Sequence, residues 1–175
     1  MVREYPQIPA EAVLSTQWLG EVSVIELVSR KQDGEVMSDK SLRVRSVETG
    51  EVLFEVPASD AQSVSVSPDG RWVAEAGVDG RVRLRQPTTL EIDREFRVHD
   101  ARLFQLVWHP KLPVFVTSAE DWQVRVWDAG DGRLIQACTS WDNPVYLDMS
   151  ADGLWLAVKD YYTSLQVIPI QLENR

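Results

Sequence analysis

The residues best equipped for chemistry in this 175-residue chain are two histidines, His99 and His109, one cysteine, Cys138, and five aspartates that each precede a glycine, Asp33, Asp69, Asp79, Asp131 and Asp152. A Ser-His-Asp triad needs a histidine free to shuttle protons beside a nucleophile. His109 lies in Trp108-His109-Pro110, a turn string, and so is an unsuitable general base. Asp128 to Gly132, DAGDG, brings two carboxylates together. A calcium loop needs oxygen ligands at alternating positions and a terminal Glu at a fixed distance, and this string lacks that pattern. Asp-Gly pairs favour tight hairpins because both residues tolerate positive φ, so these aspartates read as turn residues. No nucleophile elbow, phosphate loop or zinc cluster is present in the sequence. We therefore expect no catalytic residue, no metal ligand and no cofactor.

The bulk properties read as those of a soluble, globular chain. With 44% hydrophobic residues the chain can bury an ordinary core. A single cysteine makes no internal disulfide and builds no thiolate cluster within one chain, so Cys138 reads as a small apolar residue. The formal net charge of −9 opposes phosphate-backbone binding, and no nucleic-acid partner is expected. No apolar run approaches the roughly 20 residues that cross a bilayer, and MVREYPQIPAEAV lacks the basic-then-apolar plan of a signal peptide. The expected address is cytoplasmic, without a membrane partner.

Short strands must position all of these residues. Apolar side chains alternate with polar ones, as in Val64, Val66, then Val82, Leu84, then Val124, Val126, Trp127, between turn signals. No helical stripe competes. The turn strings SPDGRWVA, HPKLPVFV and SADGLWLA begin at Ser67, His109 and Ser150, with spacings of 42 and 41 residues. The strand strings SLRVRS, RVRLRQ, QVRVWD and SLQVIP begin at Ser41, Arg81, Gln123 and Ser164, with spacings of 40, 42 and 41. Two anchors sharing one period indicate an internal repeat.

Each period holds four strands, a to d from the inside outward. The expected strands are 12–18, 22–28, 41–47 and 51–56, with a long b–c loop from Ser29 to Lys40; then 62–67, 71–76, 81–85 and 91–96; then 103–108, 113–118, 123–128 and 133–138; then 144–149, 154–159 and 164–170. The fourth unit lacks its strand d. The expected division is a tail at 1–11, repeat units at 12–58, 59–98, 99–141 and 142–170, and a tail at 171–175.

QVRVWD, Gln123 to Asp128, followed by a Gly-Asp-Gly turn and preceded by His99, resembles a WD-repeat β-propeller. The resemblance covers about residues 12 to 170 and is strongest in the third unit. It implies an all-β fold of four-stranded antiparallel blades around a central channel, here about four blades in a partial or open propeller. It also implies a structural hydrogen-bonded network, which maps in the third unit onto His99, Thr117, Asp121 and Trp127. Glu75 and Arg85 replace the Thr and Trp in the second unit, and Trp141 falls near the His place of the fourth. Blades other than the third are therefore expected to hold mainly by apolar packing.

Two further sets stand out. Arg43, Arg83 and Arg125 occupy equivalent places on the c strands; they either form a basic ladder or pack their stems between blades with their heads in water. Trp122, Trp141, Tyr161 and Tyr162 fall in b–c and d–a loops on one face, bordered by Asp100, Asp142 and Asp160. They form either a protein- or peptide-binding patch or, for Trp141 and one Tyr, caps on the blade core. The resemblance implies a non-catalytic scaffold or adaptor binding protein through this face. The alternative is a propeller enzyme or small-ligand binder using Ser63, Ser65, Gln105 and Asp148 on the inner strands. An open arc exposes edges and apolar faces. The remainder of a longer propeller, self-association with a second copy, or closure as a four-bladed ring would cover them.

Overall fold

The computed structural model describes residues 11–32, 35–140, 142–162 and 164–172. Among them are fifteen strands and no helix. Blade 1 contains β1 (Glu11–Leu19), β2 (Ser23–Gln32), β3 (Glu35–Ser46) and β4 (Val52–Pro57). Blade 2 contains β5 (Ala61–Val66), β6 (Val73–Gly77), β7 (Arg81–Arg85) and β8 (Ile92–Arg97). Blade 3 contains β9 (Leu103–Trp108), β10 (Val114–Ala119), β11 (Gln123–Asp128) and β12 (Leu134–Thr139). Blade 4 has three described strands, β13 (Pro144–Met149), β14 (Trp155–Asp160) and β15 (Leu165–Pro169). Each blade is an antiparallel sheet whose strands pair in chain order.

One element differs from the sequence expectation. The span expected as a long loop from Ser29 to Lys40 continues the hairpin, with Ser29 opposite Lys40, Lys31 opposite Val36 and Gln32 opposite Glu35. Extending the ladder pairs backbone groups that a loop would leave to water. The Asp33-Gly34 pair lies outside the described residues.

Alternation gives each blade two faces, and the core lies between blades. The forward face of one blade meets the back face of the next. Ile25, Leu27, Leu42 and Val44 of blade 1 meet Val64 and Val73 of blade 2. Ala74, Ala76, Val82 and Leu84 of blade 2 meet Leu106, Phe115 and Trp127 of blade 3. Val114, Val116, Val124 and Val126 of blade 3 meet Leu147, Leu156 and Val158 of blade 4. Inner strands touch in the order β1, β5, β9, β13, and the arc does not close.

Turns interlock the blades. The a–b turns of blades 2 and 4 close through Gly70 N–H to the Ser67 carbonyl and Gly153 N–H to the Ser150 carbonyl, both at 2.8 Å. Both glycines sit at positive φ, 69° and 82°. A Cβ on Gly70 would meet nothing within 4 Å, whereas one on Gly153 would overlap the His109 ring of blade 3. Gly70→Ala should therefore lose only the left-handed backbone preference, about 1–2 kcal/mol. Gly153→Ala should lose clearly more, because the overlap displaces a junction side chain. Urea unfolding of the two variants checks the order, and equal losses would refute the proposed lock.

Candidate functional site

The third blade carries a continuous polar chain. His99, 2% exposed, begins blade 3 after the β8 strand, and its Nδ1 lies 2.9 Å from Asp121 Oδ2. Its Nε2 lies 2.9 Å from Thr117 Oγ1, and Trp127 Nε1–H donates to that same oxygen at 2.9 Å. A carboxylate only accepts, so the imidazole proton sits on Nδ1, and Nε2 accepts from the Thr117 hydroxyl. Every polar atom of the chain is then satisfied. Asp121 also accepts from Gln123 N–H and pairs with Arg125 at 3.2 Å. Arg125 donates in turn to the Val98 carbonyl at 2.7 Å.

Burial pushes the His99 imidazole below its ordinary value, and the Asp121 hydrogen bond only partly offsets this. The unfolded chain therefore binds a proton more readily than the native state below about pH 6.5. Stability is retained above that value and falls as pH drops through the depressed native pKa. The urea midpoint should decline between pH 7 and pH 5, and His99→Gln should flatten the curve in that window. An unchanged slope would contradict this role.

In the second blade an ion pair fills the corresponding space. Arg85 Nε–H donates to Glu75 Oε2 at 2.7 Å and Arg85 Nη1 to the Leu90 carbonyl at 2.7 Å, with the carboxylate and guanidinium both buried. Blade 2 thus adds a buried ion pair to the apolar packing expected of it. Blade 1 repeats the arrangement, with Arg45 Nε 3.3 Å from Glu26 Oε2 and Nη1 donating to the Gly50 carbonyl at 2.7 Å.

The c-strand arginines also differ from the expectation of heads in water. Arg43 is 4% exposed, with Nη1 2.8 Å from Glu11 and Nε 3.2 Å from Glu55. Arg83 pairs with Asp79 at 2.6 Å and Glu95 at 2.9 Å. Burial drives a guanidinium to find acceptors, and the carboxylates of neighbouring strands supply them.

The aspartates before glycines hold turns. Asp69 accepts from the Ser67 hydroxyl at 2.7 Å and Arg71 N–H at 3.1 Å. Burial raises the Asp69 pKa, but these hydrogen bonds outweigh it and hold the carboxyl below its usual range. Asp131 accepts from Arg133 N–H, and Asp128 from Gly130 N–H. Asp152 accepts from Ser150 and Leu154, which lowers its pKa as well. His109 is buried, and its Nδ1 accepts from Lys111 and Leu112 N–H at 3.1 Å. Among the described residues no group of His, Cys, Asp or Glu could hold a metal ion. Gln105 of the inner strands accepts from Leu147 N–H of blade 4 at 2.6 Å.

The aromatic loop residues occupy a different environment. Trp122 is 51% exposed with φ 62°. It stands where blade 2 has Gly80, at φ 77°. The hydrogen bonds match: Trp122 N–H to the Ala119 carbonyl and Gly80 N–H to the Gly77 carbonyl, then Ser140 N–H to Trp122 and Val98 N–H to Gly80. A Cβ at Gly80 would overlap the His99 carbonyl, whereas Trp122 carries a full side chain at the corresponding place. Tyr161 and Tyr162 are 68% and 74% exposed and meet edge to face at 5.5 Å. Asp100 is exposed and pairs with Arg97 at 3.0 Å, and Asp142 accepts from Asn143 N–H. Asp160 is buried and accepts from Tyr162 and Ser164 N–H, so it holds the turn beneath the tyrosines instead of presenting a carboxylate. Trp141 lies outside the described residues.

These blades and this polar chain define a β-propeller arc built from repeats. The family model described as WD domain, G-beta repeat matches residues 51–85 and 91–128. Residues 51–85 and 91–128 are therefore WD repeats of that family. The matched spans run from β4 through β7 and from β8 through β11, so each sequence repeat takes its outer strand from the preceding blade. Over 123 residues the chain is 29% identical to Actin-interacting protein 1 of Drosophila melanogaster, covering 61% of this chain and 20% of that protein. Over 94 residues it is 35% identical to the Denticleless protein homolog of Gallus gallus, covering 51% of this chain and 13% of that protein. The chain thus spans a fifth or less of these relatives' length. The crystal structure of the computationally designed Ika4 protein superposes with TM-score 0.76 at 15% identity, covering 98% of this chain and all of that one. The designed Ika8 protein superposes with TM-score 0.71 at 16% identity, covering 91% of this chain and 46% of that chain. At these identities the likeness to the designed proteins concerns the fold alone.

Proposed function

We propose that the chain is a non-catalytic scaffold or adaptor that binds a protein or peptide segment on the face carrying the b–c and d–a loops. A cytoplasmic setting accompanies this reading. Among the described residues no helix is long and apolar enough to cross a membrane. Trp122 carries the proposal: a large half-exposed aromatic residue holds a left-handed turn position where the neighbouring repeat uses glycine. That backbone state costs about 1–3 kcal/mol for a non-glycine residue, so the fold alone gives no reason for tryptophan there. Tyr161 and Tyr162 add two exposed rings in the b–c turn of the next blade, and aromatic anchors of this kind dominate the energetics of protein interfaces. Asp100 and Asp142 border them and favour a partner with basic or hydrogen-bond-donating groups. One relative is named for interacting with actin, which suits an adaptor role.

The test separates binding from folding. Trp122→Gly relieves the left-handed strain, so the Trp122→Gly/Tyr162→Ala variant should melt at or near the wild-type temperature. In quantitative affinity capture from extracts of the source cells, specific partners should fall at least about tenfold with that variant, equivalent to about 1.4 kcal/mol. Undiminished capture, or loss of capture in step with unfolding, would refute the reading.

A further inference from the structure

The two ends of the arc expose the same pair of surfaces that meet at each internal junction. On blade 4, Trp155, Leu165 and Val167 share the forward face, because Trp155 is opposite Pro169, Ala157 opposite Val167 and Lys159 opposite Leu165. These residues stand at the repeat places of Trp72, Val82 and Leu84 in blade 2, where Val82 and Leu84 are fully buried under blade 3. In blade 4 they are 49%, 66% and 61% exposed.

The opposite end is the complementary half. On blade 1, Trp18 is opposite Val24 and Val24 is opposite Arg45, so the three share the back face. Trp18 is 63% exposed there. The same face carries the Glu26–Arg45 pair with its Gly50 carbonyl contact, matching the Glu75–Arg85–Leu90 arrangement that blade 1 covers in blade 2. The Glu26 and Arg45 side chains are 12% and 17% exposed, against 2% and 8% for Glu75 and Arg85. A back face assembled as if for coverage thus stands open at one end, with an uncovered forward face at the other.

We propose that a second copy of this chain covers both faces, forward face of one on back face of the other, and that two arcs close into one eight-bladed ring. The four-bladed arc matches 91% of itself onto 46% of the longer Ika8 chain, so its curvature continues naturally into a chain of about twice the length. Two identical head-to-tail junctions then satisfy both ends at once, and the twofold operation closes the assembly. Burying the three forward-face side chains supplies the apolar contact that the internal junctions already use.

Size-exclusion chromatography with light scattering tests this on the full chain. The wild type should run at about twice the chain mass of 19.9 kDa. Leu165→Glu/Val167→Glu on the forward face and Trp18→Glu on the back face should each halve that mass. All three substitutions fall on exposed positions, and each variant should keep the wild-type far-UV circular dichroism. A wild type that is monomeric across the accessible concentration range, as expected if further blades of a longer polypeptide cover these faces, overturns the proposal. So does a dimer that only the forward-face variant breaks, which would mean forward faces meeting each other, or a mass that grows without limit.

Discussion

Everything in this molecule depends on the junction between blades. No single blade encloses a core: its strands are short, and its apolar side chains emerge on two faces of a thin sheet. Stability arises only when one blade's forward face closes on the next blade's back face, as Ala74, Ala76 and Leu84 do against Phe115 and Trp127. The offset between repeat and blade strengthens this dependence, since each sequence repeat contributes its first strand to the preceding sheet. Glycines without room for a Cβ, such as Gly132 against Phe96, then fasten the turns of adjacent blades.

In blades 1, 2 and 3 the back face carries a polar group that must find a partner within the sheet. Two chemistries meet that requirement here. Blade 3 uses neutral groups, Trp127, Thr117 and His99, ending on Asp121. Blades 1 and 2 use a carboxylate and a guanidinium that also reaches the c–d turn carbonyl. Both solutions tie strand b to strand c. The neutral chain additionally ties in the loop from the preceding blade through His99, whereas the ionic one anchors the turn on the other side.

Much of the architecture was legible in the sequence because both of its signals are local. Alternation marks strands, and Asp-Gly turns recur with the period, so the blades of four strands follow from SPDGRWVA and its repeats. The extended b–c hairpin of blade 1 was not legible, since ladder pairing over that span depends on the partner strand more than on composition. The ion pairs of blades 1 and 2 were hidden for another reason: measured against the His-Thr-Trp pattern, Glu75 and Arg85 register as departures, and only their cross-sheet placement makes them a unit. The exposure of Trp122 follows from its turn position, while the burial of Asp160 depends on how Tyr162 and Ser164 fold over it.

The account stands or falls on the junction polar groups acting as matched units. A double-mutant cycle on Glu75→Gln and Arg85→Met, followed by urea unfolding, measures this most directly. Glu75→Gln leaves the buried Arg85 guanidinium without its counter-charge and should lose about 3–5 kcal/mol; Arg85→Met leaves Glu75 the more distant Arg83 at 3.6 Å and should lose less, while the double variant should lose far less than the sum. Additive losses would mean that the two side chains contribute independently and would contradict the account.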